Sequence, residues 1–308
     1  MAKYIIKRIL MLIPVIIGVA FLVFSILSFT PGDPIRIILG EEATPEAIEQ
    51  LTMELGLDQP LVVQFFRYLV RLAQGDLGRS YITNRPVFGE IMNALPHTIE
   101  LTIWSVAIGL VIAIPVGVIS ALKQYSLLDN ISMVITLIGA AIPNFWFGLL
   151  LMLLFSLTLG LLPSSGVGTP LHMILPALTL GTTNAAIIAR MTRSSMLEVI
   201  RQDYIRTAKS KGVGRGKIIR KHAFRNASIP IVTVIGLQFG GLLGGAVLTE
   251  TVFSIPGLGI LMVNAIRQMD TPMVLGSIIV FTILFCIINL IVDLLYAFLD
   301  PRIKAAYK

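Results

Sequence analysis

The sequence is poor in the residues that most enzymes and secreted domains rely on. It has one cysteine, Cys286, inside an apolar run, which excludes an intrachain disulfide. Its three histidines, His97, His172 and His222, lie far apart and give no metal-ligand spacing. Neither G-x-S-x-G nor H-E-x-x-H occurs, and no His or Cys cluster forms, so a catalytic site has no candidate residues. Charge is scarce as well: 13% of residues are charged, about half the share of an average soluble domain. Hydrophobic residues make up 56%, more apolar surface than a soluble fold of this length can hide, so lipid covers part of it.

What is present is a series of long apolar runs. The first, Ile9 to Thr30, follows a basic start and is too long for a signal-peptide core; no small-x-small cleavage site follows it. It reads as a retained span, about 33 Å long as a helix. Five more runs lie near 101–122, 131–162, 173–191, 229–252 and 273–299. The third span contains Pro143-Asn144, which should kink or split it. Six spans put both termini on one side. Eighteen Lys and Arg fall on that side against six on the other, which makes the termini and the loop 190–228 cytoplasmic. The chain then divides into a cytoplasmic N-terminus with the first span (1–30), an extracytoplasmic loop region (31–97) and a five-helix core (98–308). Glu250 and Asp293 sit near span ends and read as interfacial.

Within 31–97, Thr44-Pro45 caps a short helix ending at Gly56, and a second helix is expected from Leu61 to Ala73. The region is either a plain cap over the bundle or a vestibule wall touching a delivery protein, because an amphipathic pattern fixes burial and not partner.

The stretch "KSKGVGRGKIIRKHAFRNASIP" (209–230) is the most unusual in the chain. Gly212 and Gly216 are too close for a phosphate loop, and Ile218 follows Lys217 where that motif needs a hydroxyl. With Tyr204 and Phe224 as the only aromatics of the 190–228 loop, the region is a poor nucleic-acid surface. Its charge alone says only that basic loops stay inside. The arrangement says more. "SSMLEVIRQDYIRTAKSKG" reads as one helix, with Met196, Val199, Ile200, Tyr204 and Ala208 at spacings of three and four. Gly212 supplies its stop, Gly214 and Gly216 a turn, and Lys217 to Arg225 a second helix leading into Pro230. Two helices on a glycine elbow make a docking piece.

"DYIRTAKSKGVGRGKIIRKHAFRNASIPIVTVIGLQFG" closely resembles the cytoplasmic signature loop of permeases of the dipeptide, oligopeptide and nickel class of ATP-binding-cassette (ABC) importers. "TPGDP", "LGLDQPL", "GDLGRS", "ARMTRSSMLEVI", "FSIPGLG" and "NLIVDLLYAFLDPRI" spread the resemblance over essentially the whole chain. Where the general signature has Glu-Ala-Ala, this chain has Arg206-Thr207-Ala208, similar to the peptide-class variant. The general signature's Glu contact therefore does not carry over to Arg206.

The resemblance implies an all-α, polytopic, type I importer permease fold with six transmembrane helices in a prokaryotic inner membrane, and no catalysis on this chain. ATP and Mg would bind to two partner ATPase subunits. Tyr204, Arg206, Thr207, Ala208, Lys209, Lys211 and Gly212 would form the coupling helix that docks on them. A second, homologous permease would complete the path, and an extracytoplasmic binding protein would deliver the substrate. Di- and oligopeptides lead as cargo, with nickel chelates, glutathione and oligosaccharides as alternatives.

For the path itself, Asn144, Thr179, Thr182, Thr183, Asn184 and Gln238 are the candidates, because polar side chains in spans face a bundle interior or a wet cavity. The same side chains can instead bond helix to helix. Gly240/Gly244 and Gly241/Gly245 form two overlapping small-xxx-small pairs suited to close helix packing. An ATP-independent secondary transporter is the rival class. It would want midplane ionisable groups and an internal repeat, and neither is evident.

Overall fold

The structure is a computed structural model that describes residues 2–29, 34–40 and 43–299. Among the described residues it is helical, with no strand beyond an isolated bridge between Arg79 and Pro86. The helices are α1 (Ala2–Phe29), α2 (Pro34–Leu39), α3 (Pro45–Leu55), α4 (Leu61–Ala73), α5 (Val87–Leu122), α6 (Leu127–Ala141) and α7 (Asn144–Leu151). Then follow α8 (Pro170–Ile200), α9 (Asp203–Ser210), α10 (Arg215–Lys217), α11 (Arg225–Phe253), α12 (Leu258–Arg267) and α13 (Thr271–Leu299). Two π-helical segments, Met152–Thr158 and Ile218–Phe224, extend α7 and lead into α11.

Among the described residues, four stretches are long and apolar enough to cross a membrane: Arg8–Phe29, Val87–Leu122, Pro170–Ile200 and Thr271–Leu295. Two bent pairs, Leu127–Ala141 with Asn144–Thr158 and Arg215–Leu242 with Ala246–Phe253, bring the number to six when each pair is counted as one span. The first bend, 104°, has a local cause. A residue before proline is pushed out of the helical region, so Ile142 adopts φ −75°, ψ 126° and Pro143 stays extended before α7 restarts.

The chain divides into two compact units. Residues 98–255 with 287–299 form the first, built around α8, which packs against α6, α7 and α11. Close approach is written into its glycines. A Cβ on Gly181 would lie 2.7 Å from the Ser105 carbonyl oxygen, and one on Gly117 2.6 Å from that of Ala189. Backbone cannot yield as a side-chain tip can, so both positions require glycine at this spacing.

The second unit is residues 2–97 with 256–286. The expected caps of α3 are present: the Thr44 hydroxyl accepts from the Ala47 N–H at 3.3 Å, and Gly56 is left-handed at φ 67°. Helix α4 also begins and ends at Leu61 and Ala73. Its Tyr68 hydroxyl is buried with no hydrogen-bond partner among the described residues, and that burial pushes its pKa up to about 12. The "GDLGRS" turn is tied down by one carboxylate. Asp270 is buried and accepts from the Ser80 hydroxyl, from the Tyr81 N–H at 3.1 Å and from the Met273 N–H at 3.4 Å. The Ser80 oxygen in turn accepts from the N–H groups of Ile82 and Thr83, at 3.2 and 3.0 Å.

Candidate functional site: a seated elbow and a polar layer

The elbow differs from its expected form in two ways. The long amphipathic helix is broken at Arg201–Gln202, where Gln202 takes ψ 150°, so α8 ends at Ile200 and α9 is a separate piece. The helix expected over Lys217 to Arg225 is not free-standing either. It is α10 and a π-helical segment running into α11 without a gap. Sequence periodicity could see neither feature, because the apolar spacing continues across both.

Helix α9 ends as its glycine dictates. Gly212 is left-handed (φ 73°), its N–H donates to the Lys209 carbonyl at 3.0 Å, and the Val213 N–H donates to the Ala208 carbonyl at 3.2 Å. This is a Schellman-type stop, which few side chains other than glycine tolerate. Ile205 and Ala208 point inward and join one apolar cluster with Met196, Ile218 and Ala223. Tyr204, Arg206, Thr207, Lys209, Lys211 and Gly212 are exposed. Ala208 therefore separates from the other expected docking residues: it seats the helix. The Arg206–Asp203 pair, 3.9 Å apart with both side chains largely in solvent, adds little.

Above the elbow, four of the six candidate path residues pair up across three helices. Thr183 of α8 donates to the Asn144 side-chain oxygen of α7 at 2.6 Å, and Gln238 of α11 donates to the Asn184 side-chain oxygen at 2.6 Å. All four are half-buried. Thr179 and Thr182 turn back onto their own helix, donating to the Leu175 and Leu178 carbonyls at 2.8 Å each. Gly240 is buried, whereas Gly241 and Gly244 face open space within this chain; the surroundings of Gly245 lie outside the described residues.

Three buried polar pairings went unread in the sequence. Asp129 at the start of α6 receives two bonds from the Arg193 guanidinium of α8, at 2.7 and 2.8 Å, and a third from the Tyr125 N–H at 2.9 Å. Glu250 is fully buried within the chain and accepts from the Thr98 hydroxyl at 2.6 Å. The third is the Ser80–Asp270 knot. Partners 64, 152 and 190 residues apart leave no local spacing to detect. Among the described residues no group of three or more His, Cys, Asp or Glu could hold a metal ion.

Comparison with known proteins places this geometry. Residues 113–305 match the family described as binding-protein-dependent transport system inner membrane component, and residues 1–102 match its N-terminal companion. The dipeptide transport system permease protein DppB of Alkalihalophilus pseudofirmus is 46% identical, over 99% of this chain and 100% of its own length. The glutathione transport system permease protein GsiC of Escherichia coli K12 is 44% identical, over 99% of both chains. Among solved structures, the inward-facing MetNI methionine ABC transporter aligns at TM-score 0.59 with 21% identity, covering 68% of this chain and 96% of that one. At that identity the likeness is one of fold.

Proposed function

This chain belongs to the binding-protein-dependent transport system inner membrane component family, and from that premise we propose that it is the peptide-conducting permease subunit of an ATP-driven importer. It works with a second permease, two cytoplasmic ATPase subunits and an extracytoplasmic binding protein. Short peptides are the cargo, consistent with the dipeptide permease at 46% identity, and glutathione, itself a short peptide, is the next reading from the relatives at 44%. The termini and the elbow lie in the cytoplasm, where the basic residues concentrate.

The observation that carries this reading is the seating of α9. Its inward residues Ile205 and Ala208 lock it to the π-helical segment that becomes α11, while α8 ends only two residues before it begins. A partner gripping Tyr204, Arg206, Thr207, Lys209 and Lys211 therefore moves α8 and α11 together. ATP acts by binding one arrangement of the ATPase pair better than the other, which shifts the permease between inward and outward openings. Asn144, Thr183, Asn184 and Gln238 face the path in that cycle. No covalent chemistry falls to this chain.

The test is uptake of labelled di- and tripeptides into vesicles holding the assembled complex, with ion gradients collapsed. Uptake that requires ATP and the delivery protein supports the reading. Uptake without ATP, or a chain that recovers no ATPase on purification, refutes it.

A further inference from the structure

Helix α4 has an apolar surface far wider than the face the protein buries. Phe65, Tyr68, Leu69 and Leu72 pack into a cluster with Ile16, Ala20, Val23, Phe24 and Leu27 of α1 and Leu275 and Ile279 of α13. Val62, Phe66 and Val70 continue that apolar arc and are 65%, 62% and 57% exposed. At 3.6 residues per turn the two faces join into an arc of about 200°, leaving one narrow strip for Gln64, Arg67, Arg71 and Gln74.

Depth decides what covers the exposed half. The first span, Arg8–Phe29, is 22 residues long, about the thickness of a bilayer's hydrocarbon, with little of it buried in the protein. The Phe65 ring meets Phe24 and Phe21, with centroids 5.5 and 5.4 Å away. Those residues lie about 7 and 12 Å below the Phe29 end of the span. Helix α13 gives the same depth independently: Leu275 and Ile279 lie about 6 and 12 Å in from its start at Thr271. Helix α4 thus packs beside two spans at a level where the surroundings are acyl chain, and its exposed face continues that of Phe21, Leu22 and Ile26 on α1.

We infer that α4 is embedded in the outer part of the bilayer, with Val62, Phe66 and Val70 in the acyl region and Arg67 and Arg71 reaching the headgroup phosphates. The occupant of this face is phospholipid. The assignment of that leaflet to the extracytoplasmic side rests on the orientation proposed above; the embedding does not.

Two measurements on the full chain in phosphatidylcholine–phosphatidylglycerol vesicles test it. A phospholipid with a photoactivatable group in mid-acyl chain should label residues 61–73 of the unaltered protein as heavily as α1, and several-fold above α3. Nitroxides at Phe66→Cys and Val70→Cys, with Cys286→Ser, should favour oxygen over an aqueous nickel chelate about fivefold more than one at Gln74→Cys. Labelling of α4 no stronger than of α3 would overturn the inference. So would nickel access at 66 and 70 equal to that at 74, or shielding there that arises only when a delivery protein is added. ATP-driven uptake in vesicles of the same lipids holding the assembled complex reads the transport role separately, so uptake with α4 unlabelled counts against this inference alone.

Discussion

Removing the Asp129–Arg193 pair from either end should give unequal results. The carboxylate side chain is 2% exposed and the guanidinium 23%. Breaking a buried ion pair by deleting one partner costs about 3–5 kcal/mol, chiefly from the charge left behind. Arg193→Met strands Asp129, which keeps the Tyr125 N–H at 2.9 Å as a donor but loses its countercharge, so it belongs at the upper end, about 4–5 kcal/mol. Asp129→Asn leaves a long, partly exposed cation that can swing toward water, so it belongs at or below the lower end, about 2–3 kcal/mol. At about 2 °C per kcal/mol for a chain of this size, the detergent-solubilised protein should melt about 8–10 °C lower for Arg193→Met and about 4–6 °C lower for Asp129→Asn. The double variant Asp129→Leu with Arg193→Met removes both charges and should recover most of the loss, because an apolar pair of similar volume replaces a buried ion pair at little cost. Melting curves by fluorescence-detected size exclusion measure all three. If the double variant melts below both single ones, a stranded charge is not the source of the penalty.

Other expectations follow from the same contacts. Gly181→Ala should cost about 1–3 kcal/mol, because the new Cβ meets the Ser105 backbone, whereas Gly139→Ala, inside α6 with open space around it, should stabilise the isolated chain by up to about 1 kcal/mol and raise its melting temperature slightly. Ser80→Ala removes a donor from Asp270 and an acceptor from two N–H groups, so the 75–86 turn should loosen by about 1–3 kcal/mol and be cleaved faster in limited proteolysis. Gly212→Val places a branched residue at φ 73° and should strain the elbow by about 1–2 kcal/mol, lowering ATP-driven uptake without lowering membrane insertion; Gly212→Asn, which tolerates that backbone, should keep most of the uptake. Equal losses from Val and Asn would point to contact rather than conformation.

The sequence was most readable where the cause is local. Thr44-Pro45 and Gly56 bound α3 because caps act within one turn, and Pro143 breaks its span through sterics on Ile142. The elbow was legible as a unit because Gly212 forces the chain's direction. Its internal break at Gln202 was not, since that residue has no side-chain cap and the apolar spacing passes through it. Tertiary pairing stayed hidden altogether. Nothing near Asp129 announces Arg193, and nothing near Glu250 announces Thr98. The polar residues of α8 were visible as a group, but which of them reach across to Asn144 and Gln238 depends on helix rotation, which spacing leaves undetermined.

The length of α8 bears on those two cross-helix bonds. Thr183 and Asn184 lie some 25 Å along the axis from Ile200, where the elbow is attached. A rigid rod pivoting about 10° at its foot sweeps that level sideways by about 4 Å, more than a 2.6 Å hydrogen bond can stretch. In the proposed cycle α11 swings with α8 through the elbow, so the Gln238–Asn184 bond can persist, whereas the Thr183–Asn144 bond to α7 breaks unless α7 follows, which makes that one contact a molecular index of which half of the cycle the subunit occupies.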